Sequence, residues 1–129
     1  MPRGYSKERT HVHNLHYHFI WCPKYRKKVL NDEVADRLES LIEEKADELD
    51  LEIIGLAIQP DHVHLFITGH PKLAPNKIIQ QIKGYSSRVL RDEYEFGLPS
   101  LWTRSYFVSS AGEVSRQTIE EYIEAQTGQ

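Results

Sequence analysis

One cysteine, Cys22, is all that the 129 residues contain. An internal disulfide is therefore excluded, and so is any zinc site built on pairs of thiolates. A lone thiol fits a reducing compartment. No run of about 18 apolar residues occurs, so no membrane span is expected. The opening residues, MPRGYSKERTHVHN, are polar and lack the apolar centre of a secretory signal. A cytoplasmic protein is the expectation. There is no internal repeat, no low-complexity tract and no long linker. A chain of this length is one domain's worth, residues 1–129, with the first ten residues expected to be mobile.

Charge is also short overall, but unevenly spread. The formal net charge is −3. Residues 31–50 hold nine acidic and two basic side chains, and residues 113–126 hold four and one. Residues 1–30 hold seven basic and one acidic. An acidic chain with a basic end can still attract phosphate locally, although solvated faces would show the same pattern.

Periodicity supplies the elements. NLHYHFIWC (14–22) is aromatic and β-branched and stops at Pro23, as a strand does. Alternation puts Leu15, Tyr17, Phe19 and Trp21 on one face and His16, His18, Ile20 and Cys22 on the other. Residues 31–50 read as a helix, with Val34, Leu38, Leu41, Ile42 and Leu49 as its stripe and Asn31 or Asp32 as its cap. LEIIGLAIQ (51–59) is apolar almost throughout and is expected to be a central strand. The turn Pro60-Asp61 joins it to HVHLFITG (62–69) in an antiparallel hairpin. Residues 74–94 read as a second helix, with Pro75 in its first turn, Ile78, Ile79, Ile82, Val89 and Leu90 buried, and Gly84 weakening its middle. SLWTRSYFVSS (100–110) reads as a fourth strand. Ala111-Gly112 breaks it, and Ser115 can cap a last helix over 116–126. The order β-α-β-β-α-β plus a helix predicts an α+β, ferredoxin-like sheet of four antiparallel strands with both helices on one face. The other face must then be covered by a ligand, a partner or the extra helix.

Six of the seven histidines form three His-x-His pairs, at 11/13, 16/18 and 62/64. Residues i and i+2 of a strand share a face about 6–7 Å apart, so such a pair can offer two imidazoles to one ion. Structural or surface histidines are the plainer reading of all three. Only His62 and His64 alternate with a clean core row, Val63, Leu65 and Ile67, which sends them to the open face. His16 and His18 could line that face or hydrogen-bond within it. Two imidazoles do not complete a site, and neither a Cys pair nor HExxH is present. Tyr122 and Gln126 lie one helical turn apart on the last helix. By pattern alone they read better as a packing aromatic and a polar terminus than as site residues.

PDHVHLFI, QIKGYSSRVLR, LWTRSYFVSSAGEVS and IEEYIEAQ, in that order, together with YHFIWCPKYRKKVL, resemble the HUH-type single-tyrosine transposases of bacterial and archaeal insertion sequences. The resemblance runs from about His16 to Gln126. HUH alone is moderately specific; HUH followed by Tyr-x-x-x-Gln is highly so. The resemblance implies a small homodimeric enzyme that cuts and rejoins single-stranded DNA carrying hairpin ends. It implies His62, His64 and Gln126 as ligands of Mg²⁺ or Mn²⁺, and Tyr122 as nucleophile forming a 5′-phosphotyrosine. It also implies a mobile tyrosine helix (113–129), hinged near Gly112, that can serve the partner's site, with the dimer joined through the fourth strand.

The chemistry suits these residue types. A phenol with a pKa near 10 needs an electrophilic phosphorus to attack at neutral pH, which a divalent cation provides. Two neutral imidazoles and an amide oxygen leave such an ion its full charge and about three open positions of an octahedral shell. Asp61 is expected to point away from His62 unless the turn redirects it. Tyr17 and Tyr106 read as core. In KYRKK, Lys24, Arg26, Lys27 and Lys28 are expected phosphate contacts and Tyr25 a stacking group, with Lys83, Arg88, Arg91 and Arg104 extending the surface. Three alternatives stay open: a domesticated HUH endonuclease acting on hairpin repeats, a non-catalytic nucleic-acid-binding module, and a metal-dependent hydrolase in which Tyr122 is structural.

Overall fold

The computed structural model of the chain describes residues 15–110 and Glu121. The expectations for residues 1–10, His11, His13, the Gly112 hinge, Tyr122 and Gln126 lie outside the described residues.

The described elements are β1 (His16–Trp21), a single 3₁₀ turn (Lys24–Arg26), α1 (Asp32–Glu48), β2 (Ile53–Gln59), β3 (His62–Thr68), α2 (Pro75–Glu93) and β4 (Phe107–Ser110). The strands form one antiparallel sheet in the order β2-β3-β1-β4. This is the expected α+β, ferredoxin-like arrangement. The core lies where alternation puts it. Phe19 and Trp21 of β1 and Val63, Leu65 and Ile67 of β3 are buried with Leu38, Leu41 and Ile42 of α1 and Ile78, Ile79, Ile82 and Leu90 of α2. Fully burying each such side chain contributes about 1.5–3 kcal/mol, so this row fixes which way β3 faces.

Three local expectations are corrected. Among the described residues β2 is an edge strand, not a central one. The chain leaves β1, crosses over through α1 and lands one strand away; β3 then folds back into the gap. The apolar sequence of β2 reflects contact on the helix side by Ile53, Leu56 and Ile58, and only Ala57 in it is buried. The fourth strand is shorter than 100–110. Leu101 and Trp102 enter the core from a loop, where Trp102 meets Trp21 edge-on at 5.9 Å and donates its indole N–H to Ser86 Oγ at 3.1 Å. Only an isolated bridge, Pro23 to Trp102, joins that loop to the segment after β1. Asn31 stands at the N-cap position of α1, but its side chain makes no cap bond and donates instead to the Lys28 carbonyl at 2.9 Å.

The two helices are tied at the surface. Arg37 on α1 donates twice to Glu93 on α2, both at 2.9 Å, and the Tyr85 hydroxyl donates to Glu44 at 2.6 Å. Among the described residues no helix is long and apolar enough to cross a membrane.

Candidate active site

The hairpin β2–β3 turns on Pro60 and Asp61 alone, with Gln59 opposite His62. Such a short turn holds His62 and His64 in fixed register on the face away from the helices. Their rings meet edge-on with centroids 5.0 Å apart. The turn also redirects Asp61. Its carboxylate accepts the His62 Nδ1 hydrogen at 2.7 Å and an Arg26 guanidinium hydrogen at 3.2 Å. A carboxylate can only accept, so His62 carries a hydrogen on Nδ1, and in the neutral ring the lone pair is on Nε2. The hydrogen bond from His62, aided by the charge of Arg26, holds Asp61 below the usual carboxylate range.

His64 is buried, with 4% of its surface exposed, rather than lying open as the alternation implies. Neighbours on β1 and β3 account for this. His18 sits diagonally across from it, since His18 registers with Phe66 and Ile20 with His64. His18 Nε2 and His64 Nδ1 are 3.1 Å apart, and the rings stack at 5.4 Å. His18 in turn lies flat on Phe66, at 4.0 Å and 12°. Burial, and then the charges of His62 and His18, push His64 down to about 4. Burial lowers His18 as well. Both rings are therefore neutral at physiological pH, the state in which imidazole binds a metal.

His62 and His64 suit a divalent cation as two nitrogen donors and no more. Among the described residues no group of three or more His, Cys, Asp or Glu side chains is placed to hold a metal ion. Asp61 is turned to His62 and Arg26 instead.

The basic segment is brought up to this strand. Leu30 N–H donates to the Pro60 carbonyl at 3.0 Å, which lays residues 24–30 against the hairpin turn. Tyr25 and Arg26 both have left-handed backbones, φ 60° and 52°. That conformation costs roughly 1–2 kcal/mol per non-glycine residue. It leaves the Tyr25 ring 72% exposed, with the Lys24 ammonium 5.8 Å from its centroid. Lys27 and Lys28 are exposed beside it.

The other expected phosphate contacts are placed differently. Lys83 is half-buried, and its ammonium donates to the carbonyls of Thr103, Arg104 and Ser105 at 2.8, 3.4 and 3.2 Å. Burial lowers its pKa. Arg88 lies over the Tyr85 ring at 5.5 Å, beside acidic α1. Arg91 donates to the Pro99 carbonyl at 2.9 Å. Arg104 is exposed in the loop before β4. Of the tyrosines expected in the core, Tyr17 and Tyr106 do pack against it.

A family model described as "Transposase IS200 like" matches residues 11–126. The chain belongs to the IS200-like transposase family and is, with that family, a DNA transposase. It is 37% identical to the ISDra2 transposase TnpA of Deinococcus radiodurans over 131 residues, covering 98% of this chain and 94% of the relative. The IS200 transposase of Salmonella typhimurium is 25% identical, over 95% of this chain and 84% of its own length. A crystal structure of a protein from Deinococcus radiodurans R1 superposes with a TM-score of 0.71 at 34% identity, covering 98% of this chain and 96% of that one. A REP-associated tyrosine transposase bound to a REP hairpin shares the fold, with a TM-score of 0.64 at 14% identity over 86% of this chain and 63% of that one.

Proposed function

We propose that the chain cleaves and rejoins single-stranded DNA at the ends of an insertion sequence, through a covalent bond to Tyr122. The observation that carries this reading is the pair His62 and His64, in register on β3 with each Nδ1 already engaged. Paired imidazoles on a strand that adjoins a basic segment suit phosphodiester chemistry.

In this reading Tyr122 Oη attacks the scissile phosphorus. The bond from phosphorus to the 3′ oxygen breaks, leaving a free 3′-OH and a 5′-phosphotyrosine. Attack by a 3′-OH on that ester rejoins a strand without ATP. His62, His64 and Gln126 would hold Mg²⁺ or Mn²⁺, which when bound would make the scissile phosphorus more electrophilic. Asp61 fixes the His62 ring, and Arg26 holds Asp61. The Arg26–Asp61 ion pair is exposed and adds little stability, so its value is orientation. Lys24, Arg26, Lys27 and Lys28 hold the backbone of a DNA hairpin, and Tyr25 stacks on a base. The hairpin bound by the REP-associated relative supports that kind of partner.

A homodimer joined through β4 is part of the proposal. Among the described residues β4 pairs with β1 alone, and it exposes Phe107 and Val108. A second β4 would cover that edge. The alternative of a non-catalytic sheet that stacks bases is disfavoured by Phe66, which is buried beneath His18 rather than presented outward. The near end-to-end match to an insertion-sequence transposase favours that reading over a domesticated endonuclease.

The test is cleavage of a single-stranded hairpin substrate with Mn²⁺. His62→Ala and His64→Ala should each abolish cleavage while hairpin binding survives. Undiminished cleavage in both variants would show that this pair is not the catalytic one.

A further inference from the structure

We infer that His18 is the positioning residue for His64: it accepts the His64 Nδ1 hydrogen and so presents His64 Nε2 as the donor nitrogen. The inference rests on reading His62 and His64 as cation ligands.

Between His18 Nε2 and His64 Nδ1, 3.1 Å apart, there is room for one hydrogen. It belongs either to His18 or to His64, and the two cases differ in consequence. If His18 donates, the neutral His64 ring has its hydrogen on Nε2 and cannot ligate there. If His64 donates, its Nε2 carries the lone pair. The partner group of a ligating histidine selects the tautomer in this way. His62 reaches the equivalent state through Asp61, whose carboxylate leaves no choice. His64 has an imidazole in that place, which can take either role, and the fold holds that imidazole in position. Phe66 lies flat against His18 at 4.0 Å, and the β1–β3 register holds the two histidines diagonally. His18 therefore cannot swing away without giving up a ring contact on a packed sheet face. The two ligands are thus oriented by unlike partners, a carboxylate from the turn and a neutral ring from the neighbouring strand.

The experiment has two arms. In the metal-free full chain, long-range ¹H–¹⁵N NMR should find His64 with its hydrogen on Nδ1. Finding it on Nε2 in the wild type overturns the inference, whether or not any variant folds. In the second arm, Mn²⁺ affinity is measured by electron paramagnetic resonance for wild type, His18→Phe, His18→Gln and His64→Ala. His18→Phe keeps the ring stack on Phe66 and removes the acceptor. It should weaken Mn²⁺ binding by about 10–100-fold, the usual effect of removing an outer partner of a ligand. His18→Gln supplies an amide oxygen and should recover most of that affinity. Wild-type affinity in His18→Phe, with His64→Ala impaired, overturns the positioning role alone. Wild-type affinity in His64→Ala, or no Mn²⁺ binding by the wild type, removes the ligand reading and the inference with it.

Discussion

Burial changes what His64 can do. An unfolded histidine takes up a proton near pH 6.5, whereas burial, with the neighbouring His62 and His18, holds the folded one at about 4. The stability that follows from keeping this ring neutral is whole above about pH 6.5 and is lost as pH falls toward 4. In metal-free protein the loss should reach ~2 kcal/mol by pH 4.5. Urea denaturation at pH 7 and pH 4.5 measures it, and a His64→Phe variant should show a smaller drop. Equal drops in the two proteins would contradict the burial account. The pair His62 and His64 is legible in the sequence because the row Val63, Leu65 and Ile67 fixes its face. Its partners are only partly so. Asp61 reaches His62 because a two-residue turn rotates it, and His18 reaches His64 diagonally across two strands. Neither follows from spacing along the chain.

At the scale of elements, long amphipathic segments are legible and short connections are not. The stripes Leu38, Leu41, Ile42 and Ile78, Ile79, Ile82 announce α1 and α2 because helix burial repeats over many turns. The loop 100–106 carries aromatics that read as strand, yet Trp102 is used as a plug against Trp21. Lys83 reads from the sequence as a phosphate contact, whereas its ammonium binds three carbonyls of that same loop. A charge bonded in this way stabilises the approach to β4. Lys83→Met should therefore lower stability by about 1.5–3 kcal/mol, the usual range for a hydrogen bond to a charged group. Chemical denaturation gives the number, and hairpin binding should change little. Unchanged stability together with weakened, more salt-sensitive binding would instead make Lys83 a DNA contact.

For the whole molecule, charge is sorted by location. The acidic side chains of α1 lie on the helical layer, while Lys24, Arg26, Lys27 and Lys28 lie beside the histidine strand. Such a distribution turns one side of an overall acidic protein toward a polyanion and the other away from it. Replacing these four residues by alanine should weaken hairpin binding and flatten its salt dependence. The slope of log affinity against log salt should fall by about 0.9 for each phosphate of the duplex stem that the protein no longer neutralises. Neutralising exposed acids of α1 should leave that slope unchanged. Binding titrations at several salt concentrations separate the two. Mass spectrometry shows whether DNA is cut by transfer to a tyrosine of this chain. Wild-type protein is incubated with a single-stranded hairpin substrate and Mn²⁺, the DNA is trimmed and the modified peptide is sequenced. A 5′-phosphodeoxynucleotide on Tyr122, absent from Tyr122→Phe, is the predicted result. Cleavage with no covalent adduct, or an adduct that persists in Tyr122→Phe, would contradict it.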